Sequence, residues 1–93
     1  MSVPFYTVPV ESNKVFVKSR LDRVANTLDS YSKNSIELSE DSMFEMIELR
    51  DALRDLLYAL DLGDGITCCL TYEQLQLLSD TIETEKLRRV VIR

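Results

Sequence analysis

Ninety-three residues make one domain with a modest core, and an apolar content of 45% excludes a disordered chain. A net charge of −5 without a single histidine excludes His-based triads and metal sites, and argues against a sequence-specific DNA binder, whose footprint is a basic face. No apolar run approaches the ~20 residues that span a bilayer, and the start of the chain lacks the basic and continuous apolar regions of a signal peptide, so a cytoplasmic protein is expected.

The charge is unevenly spread. Residues 1–33 carry five basic against three acidic groups, residues 34–64 two against nine, and residues 65–93 four of each. An acidic segment between more basic neighbours is expected to solvate itself and to form surface ion pairs, each contributing little.

Residues 1–12, MSVPFYTVPVES, are expected to form an extended arm. Pro4 and Pro9 forbid a helix there, and Phe5, Tyr6, Thr7 and Val8 between them suit a short edge strand covering a groove on its own chain or a sister subunit. A first helix is predicted over 13–31, where Val17, Leu21, Val24, Leu28 and Tyr31 recur at four, three, four and three residues, an apolar seam of two heptads. Asn13 is its expected N-cap. Arg20 and Arg23 lie beside that seam and are expected to bridge to acids of the second helix, with an anion as the other candidate occupant.

The stretch 39–62 is the longest helical pattern, free of Gly and Pro until Gly63, and the rest of the chain is expected to be organised around it. Ser39 or Ser42 can cap it, with Glu40 and Asp41 favourably placed at the positive end of the helix dipole. Met46, Leu49, Leu53, Leu56, Leu57 and Leu60 share one arc, the mark of a core-facing helix. A second apolar group, Met43, Phe44, Ile47 and Tyr58, lies on another side, interleaved with Arg50 and Arg54. A helix with two apolar faces needs two neighbours. The short link before it predicts antiparallel packing on the first helix, and Gly63 is the expected glycine just past its C-terminus.

Gly65–Leu70 is short, β-branched and thiol-rich, and is read as a buried connector with Cys68 and Cys69 as reduced core thiols. Thr71-Tyr72-Glu73-Gln74 has the form of a capping box. It opens a third helix predicted over 72–84, at most to 90, with Leu75, Leu78 and Ile82 on its buried face. Lys86 and Arg89 interrupt that face, so the β-branched end from Leu87 to Arg93 is expected to leave the helix and pair with the N-terminal arm as a short β-ribbon. The expected fold is therefore mainly all-α: a single-domain three-helix bundle built on an antiparallel helical hairpin, with an extended arm.

No motif for chemistry stands out, and neither an enzyme nor a cofactor or metal is expected. The loop Asp61-Leu62-Gly63-Asp64-Gly65 fails as a calcium loop: with Gly65 at the invariant glycine, Leu60 and Leu62 take ligand positions and Thr71 stands where the bidentate Glu belongs. The phosphate-binding pattern GxxxxGK[ST] is absent.

The leading functional expectation is a small, self-associating interaction protein that binds and modulates or inhibits a protein partner. Its candidate surface is Met43, Phe44, Ile47, Arg50, Arg54 and Tyr58, because mixed aromatic, Met and Arg patches are enriched at interface cores. A second reading is an acidic nucleic-acid mimic using Glu48, Asp51 and Asp55. One carboxylate per helical turn gives about one charge per 5.4 Å against about one per 1.7 Å of duplex, so a single stripe is too sparse. A third is an oligomeric protein that sequesters a small anionic nucleotide. Arg50 and Arg54, like charges one turn apart, are expected to be offset by acids of the first helix such as Asp22 or Asp29, or by a bound phosphate group. Arg20, Arg23, Arg88 and Arg89 are candidate anion contacts that complete the site. Neither direct nucleic-acid binding nor membrane insertion is expected. The lean, acidic, motif-free make-up resembles, in type only, the accessory proteins of phages and other mobile elements that block host defence machinery; the resemblance carries no residues across.

Overall fold

A computed structural model describes residues 5–33 and 37–91. Along the chain these form β1 (Tyr6–Pro9), α1 (Glu11–Ser32), α2 (Glu40–Asp61), β2 (Thr67–Leu70) and α3 (Tyr72–Val91). The mainly helical class, the helical hairpin and a short antiparallel ribbon agree with the sequence reading. The ribbon's second strand does not. β1 pairs with β2, in the register Tyr6 to Leu70 through Pro9 to Thr67, and not with the C-terminal tail. Met1–Pro4, at the start of the expected arm, lie outside the described residues, as do Asn34–Ile36 in the break between the first two helices and Ile92–Arg93 at the tail.

Strand pairing also resets the start of α1. The amide of Val10 donates to the carbonyl of Ile66 at 2.9 Å, and Val10 is buried, so the chain turns directly from the ribbon into a helix at Glu11. Asn13 is thus inside the first turn instead of capping it, and its side-chain amide donates back to the Pro9 carbonyl at 2.7 Å. The α2 N-terminus is as expected: the Ser39 hydroxyl accepts from the Ser42 amide at 3.1 Å. The capping box of α3 closes in both directions, with Gln74 N donating to Thr71 Oγ1 at 3.2 Å and Thr71 N to Gln74 Oε1 at 3.1 Å.

The core joins the valine seam of α1 to the leucine arc of α2. Val17, Val24, Leu53, Leu56 and Leu60 are buried with Leu70 of the ribbon and Leu78 of α3. An ion pair between Lys14, near the start of α1, and Asp61, at the end of α2, ties the hairpin in antiparallel sense. It is α1, not α2, that holds the centre: α1 packs against both other helices, whereas α2 and α3 barely meet. The result is flat, with extents of 45 × 36 × 18 Å. One side of α2 lies on α1 and the ribbon, and the far side has no neighbour among the described residues.

α3 runs past its predicted end because its buried face continues in polar form. Beyond Leu78 the buried positions are Thr81 and Glu85, which an apolar-periodicity reading passes over. α1 supplies polar partners for both, so the helix persists to Val91.

The two glycines after α2 have different reasons. Only Gly65 adopts positive φ, at 91°, a left-handed conformation that favours glycine. Gly63 is needed for space: a Cβ there would lie 2.8 Å from Cys68 Cβ and closer still to the Thr67 carbonyl oxygen. The Asp64 carboxylate accepts from the amides of Ile66 and Thr67, each at 2.8 Å, and these bonds hold it below the usual aspartate range. Gly63→Ala is therefore expected to destabilise the fold by about 1–3 kcal/mol, the range for forcing atoms into a packed site, read as a lower midpoint in urea unfolding.

Candidate functional site

α2 presents a long face that no other element covers among the described residues. Its helical turn rotates Met46, Leu49, Leu53, Leu56 and Leu60 toward α1 and the ribbon, and this carries Phe44, Tyr58 and Leu62 outward. Phe44 is 53% exposed, Tyr58 65% and Leu62 68%, large values for apolar side chains of this size. Met43 and Ile47 are half-buried beside them. Arg50 lies along the helix and reaches the adjacent Asp51 at 3.2 Å, while Arg54 is exposed and makes no ion pair among the described residues. The acids expected to offset these arginines from α1 do not do so: Asp29 pairs with Lys33 on its own helix, and Asp22 is exposed without an ion pair among the described residues. Every member of the sequence-derived patch thus belongs to one helix, and its two aromatic members are open to solvent.

A second apolar surface lies at the far end of the ribbon, where the sequence reading expected an arm covering a groove. Phe5, Tyr6 and Tyr72 are all exposed, and the rings of Tyr6 and Tyr72 meet with centroids 6.2 Å apart and planes tilted by 54°. That geometry is within the favourable range for aromatic pairs. The strand register assembles it: Tyr6 pairs with Leu70, two residues before Tyr72. In β2, Cys68 and Leu70 face the core while Cys69 faces outward, so only one of the two neighbouring thiols is a core residue. Burial, together with the neighbouring thiol and Asp64, pushes the Cys68 thiol above its ordinary value. Between the end of α2 and β2 is a shallow depression of about 390 Å³, bordered by Leu62, Asp64, Thr67 and Cys69.

Arg20 and Arg23 do form ion pairs, but with α3 instead of the acidic α2. Arg20 Nη1 donates to Asp80 Oδ2 at 2.9 Å and to Thr81 Oγ1 at 3.1 Å. Arg23 Nη2 donates to Glu85 Oε2, and the Ser19 hydroxyl donates to the other Glu85 oxygen at 2.6 Å. The physical reason is direction. α1 and α3 leave opposite ends of the ribbon, and they meet where these residues stand. Both guanidinium groups are committed to carboxylates, so they do not form an open anion cradle; the side chain of Arg89 lies outside the described residues. Burial pushes Glu85 upward, but the Ser19 hydroxyl and the Arg23 guanidinium, helped by Arg88, outweigh it and hold the carboxyl below the usual glutamate range.

Among the described residues, no group of three or more His, Cys, Asp or Glu is arranged to hold a metal ion, and no helix is long and apolar enough to cross a membrane. The chain matches no family model, no curated protein and no solved structure.

The Glu85 cluster carries a pH signature. A carboxyl depressed in the folded state stabilises fully above its unfolded value of about 4.3 and loses that contribution as pH falls through the folded value. Glu85→Gln is expected to lower stability at pH 7 by about 1–2 kcal/mol, the modest end for a charged hydrogen bond because Arg23 stays partly hydrated. Thermal melts across the acid range check this: the gap between wild type and Glu85→Gln should close as the pH falls.

Proposed function

We propose that this chain is a non-enzymatic helical interaction protein that binds and modulates a protein partner, with the uncovered face of α2 as its principal contact surface. One observation carries the reading: Phe44, Tyr58 and Leu62 stand exposed along a single helix face, beside Arg50 and Arg54. Exposed aromatic side chains bordered by polar groups suit a contact surface for a partner. Aromatic and Arg side chains are also the types that dominate binding energy when a partner desolvates them. Helices of this kind bind through side chains at i, i+3, i+4 and i+7, the spacing this face offers. The ribbon-end aromatics Phe5, Tyr6 and Tyr72 supply a second apolar contact area. The spare, motif-free composition is in keeping with an accessory protein whose action is binding alone, of the kind phages and mobile elements carry.

Affinity capture from the native host, with wild type and a Phe44→Asp variant compared side by side, tests the proposal. Phe44 is exposed, so the variant should keep its helical circular dichroism and thermal midpoint. The expected result is a protein retained by wild type and lost with Phe44→Asp. Equal retention by a folded Phe44→Asp chain removes the α2 face from the function.

A further inference from the structure

The uncovered face of α2 has a spacing that identifies what covers it. Phe44, Ile47, Asp51, Arg54, Tyr58 and Asp61 follow one another at three, four, three, four and three residues. That is a second heptad seam on a helix whose first seam already faces α1. We propose that a second copy of this chain occupies the seam, with the two α2 helices antiparallel about a two-fold axis midway between Asp51 and Arg54. The inference rests on the reading that this face is an interface, and it names the occupant and the register.

Charge and apolarity select that arrangement. About this axis Asp51 lies opposite Arg54 of the second copy, and the symmetry makes the same pairing twice. Ile47 lies opposite Tyr58 on each side of that centre. The outermost layer sets Phe44 against Asp61, a carboxylate already neutralised within its own chain by Lys14. A two-fold contact must be self-complementary, since each surface meets a copy of itself. This seam is so in the antiparallel sense alone. Parallel pairing would set Asp51 against Asp51 and Arg54 against Arg54, and like charges directly opposed are unfavourable. Sliding the antiparallel pair by one heptad either sets Ile47 against Asp51 and Phe44 against Arg54, or sets Asp51 against Asp61. No other heptad register pairs opposite charges at the centre and apolar residues around them.

The isolated chain shows the same incompleteness. Arg54 is exposed and has no carboxylate among the described residues, while Asp51 is held only by its sequence neighbour Arg50. The seam from Phe44 to Asp61 spans about 27 Å at 1.5 Å per residue. A second copy laid there would cover Phe44, Ile47 and Tyr58 of both.

Sedimentation equilibrium of the full chain over a wide concentration range tests the proposal. Wild type should move from monomer to dimer with concentration. Asp51→Arg alone and Arg54→Asp alone each place like charges in both central layers, and each should weaken self-association by about tenfold or more. The double Asp51→Arg/Arg54→Asp variant should restore it. An equimolar mixture of the two single variants should associate more tightly than either variant by itself. Circular dichroism confirms that each variant is folded; should a charge reversal unfold the chain, Asp51→Asn and Arg54→Gln take its place, with weakening again expected. A monomeric wild type overturns the proposal, as does a dimer indifferent to the single reversals or not restored by the double one. The two readings separate cleanly. A monomer that still loses its captured partner with Phe44→Asp keeps the interaction function and removes the dimer. A dimer that responds to the charge swap but captures nothing keeps the dimer and removes the partner.

Discussion

The constraint on which the structure depends is the pairing of Tyr6–Pro9 with Thr67–Leu70. It joins the two ends of a long helical hairpin and fixes where α1 and α3 begin. Two four-residue strands are marginal by themselves, because a lone ribbon buries too little apolar surface. Here one face is buried through Val10, Cys68 and Leu70, so the helices support the ribbon as the ribbon orients the helices. The closure links segments far apart in sequence, and its loop entropy must be offset by the core that forms around it. Gly63 belongs to the same arrangement, since the space above it is filled by the backbone of β2.

Much of the fold was legible in the sequence wherever burial is apolar. The leucines of α2 and the Val17–Leu28 seam of α1 announce their elements because every inward position is hydrophobic. Local hydrogen-bond chemistry was equally readable: Ser39 caps α2, and Thr71 with Gln74 closes the box of α3. Legibility ends where burial is polar. Thr81 and Glu85 look like surface residues in a pattern, and they become core only because Arg20, Arg23 and Ser19 arrive from α1 to satisfy them. Non-local pairing was the other blind spot. Two short β-branched segments flank the helices and a third ends the chain, and nothing in local propensity says which two will meet.

The candidate surface was partly legible for a related reason. A second apolar group on α2 can be read from its spacing, but whether another helix covers it depends on where that helix goes. α3 follows α1 instead, drawn by the arginine–carboxylate contacts, and this leaves Phe44 and Tyr58 uncovered. The same contacts explain why the acidic helix and the basic residues of α1 do not neutralise one another as charge counting suggests. The acidic side of α2 faces solvent, and Arg20 and Arg23 turn the other way.

The alternation along β2 gives the two adjacent cysteines different chemistries. Cys69 stands at the surface, open to oxidants and alkylating agents, while Cys68 is shut between the ribbon and α2. A thiol reacts as its thiolate, and the raised pKa of Cys68 slows its reaction with reagents that reach it. Modification at Cys68 is therefore favoured by any lifting of β2 from the core, a local opening governed by its own free energy. Side by side in sequence, one sulfur meets the surroundings directly, and the other is exposed further only as the ribbon comes apart.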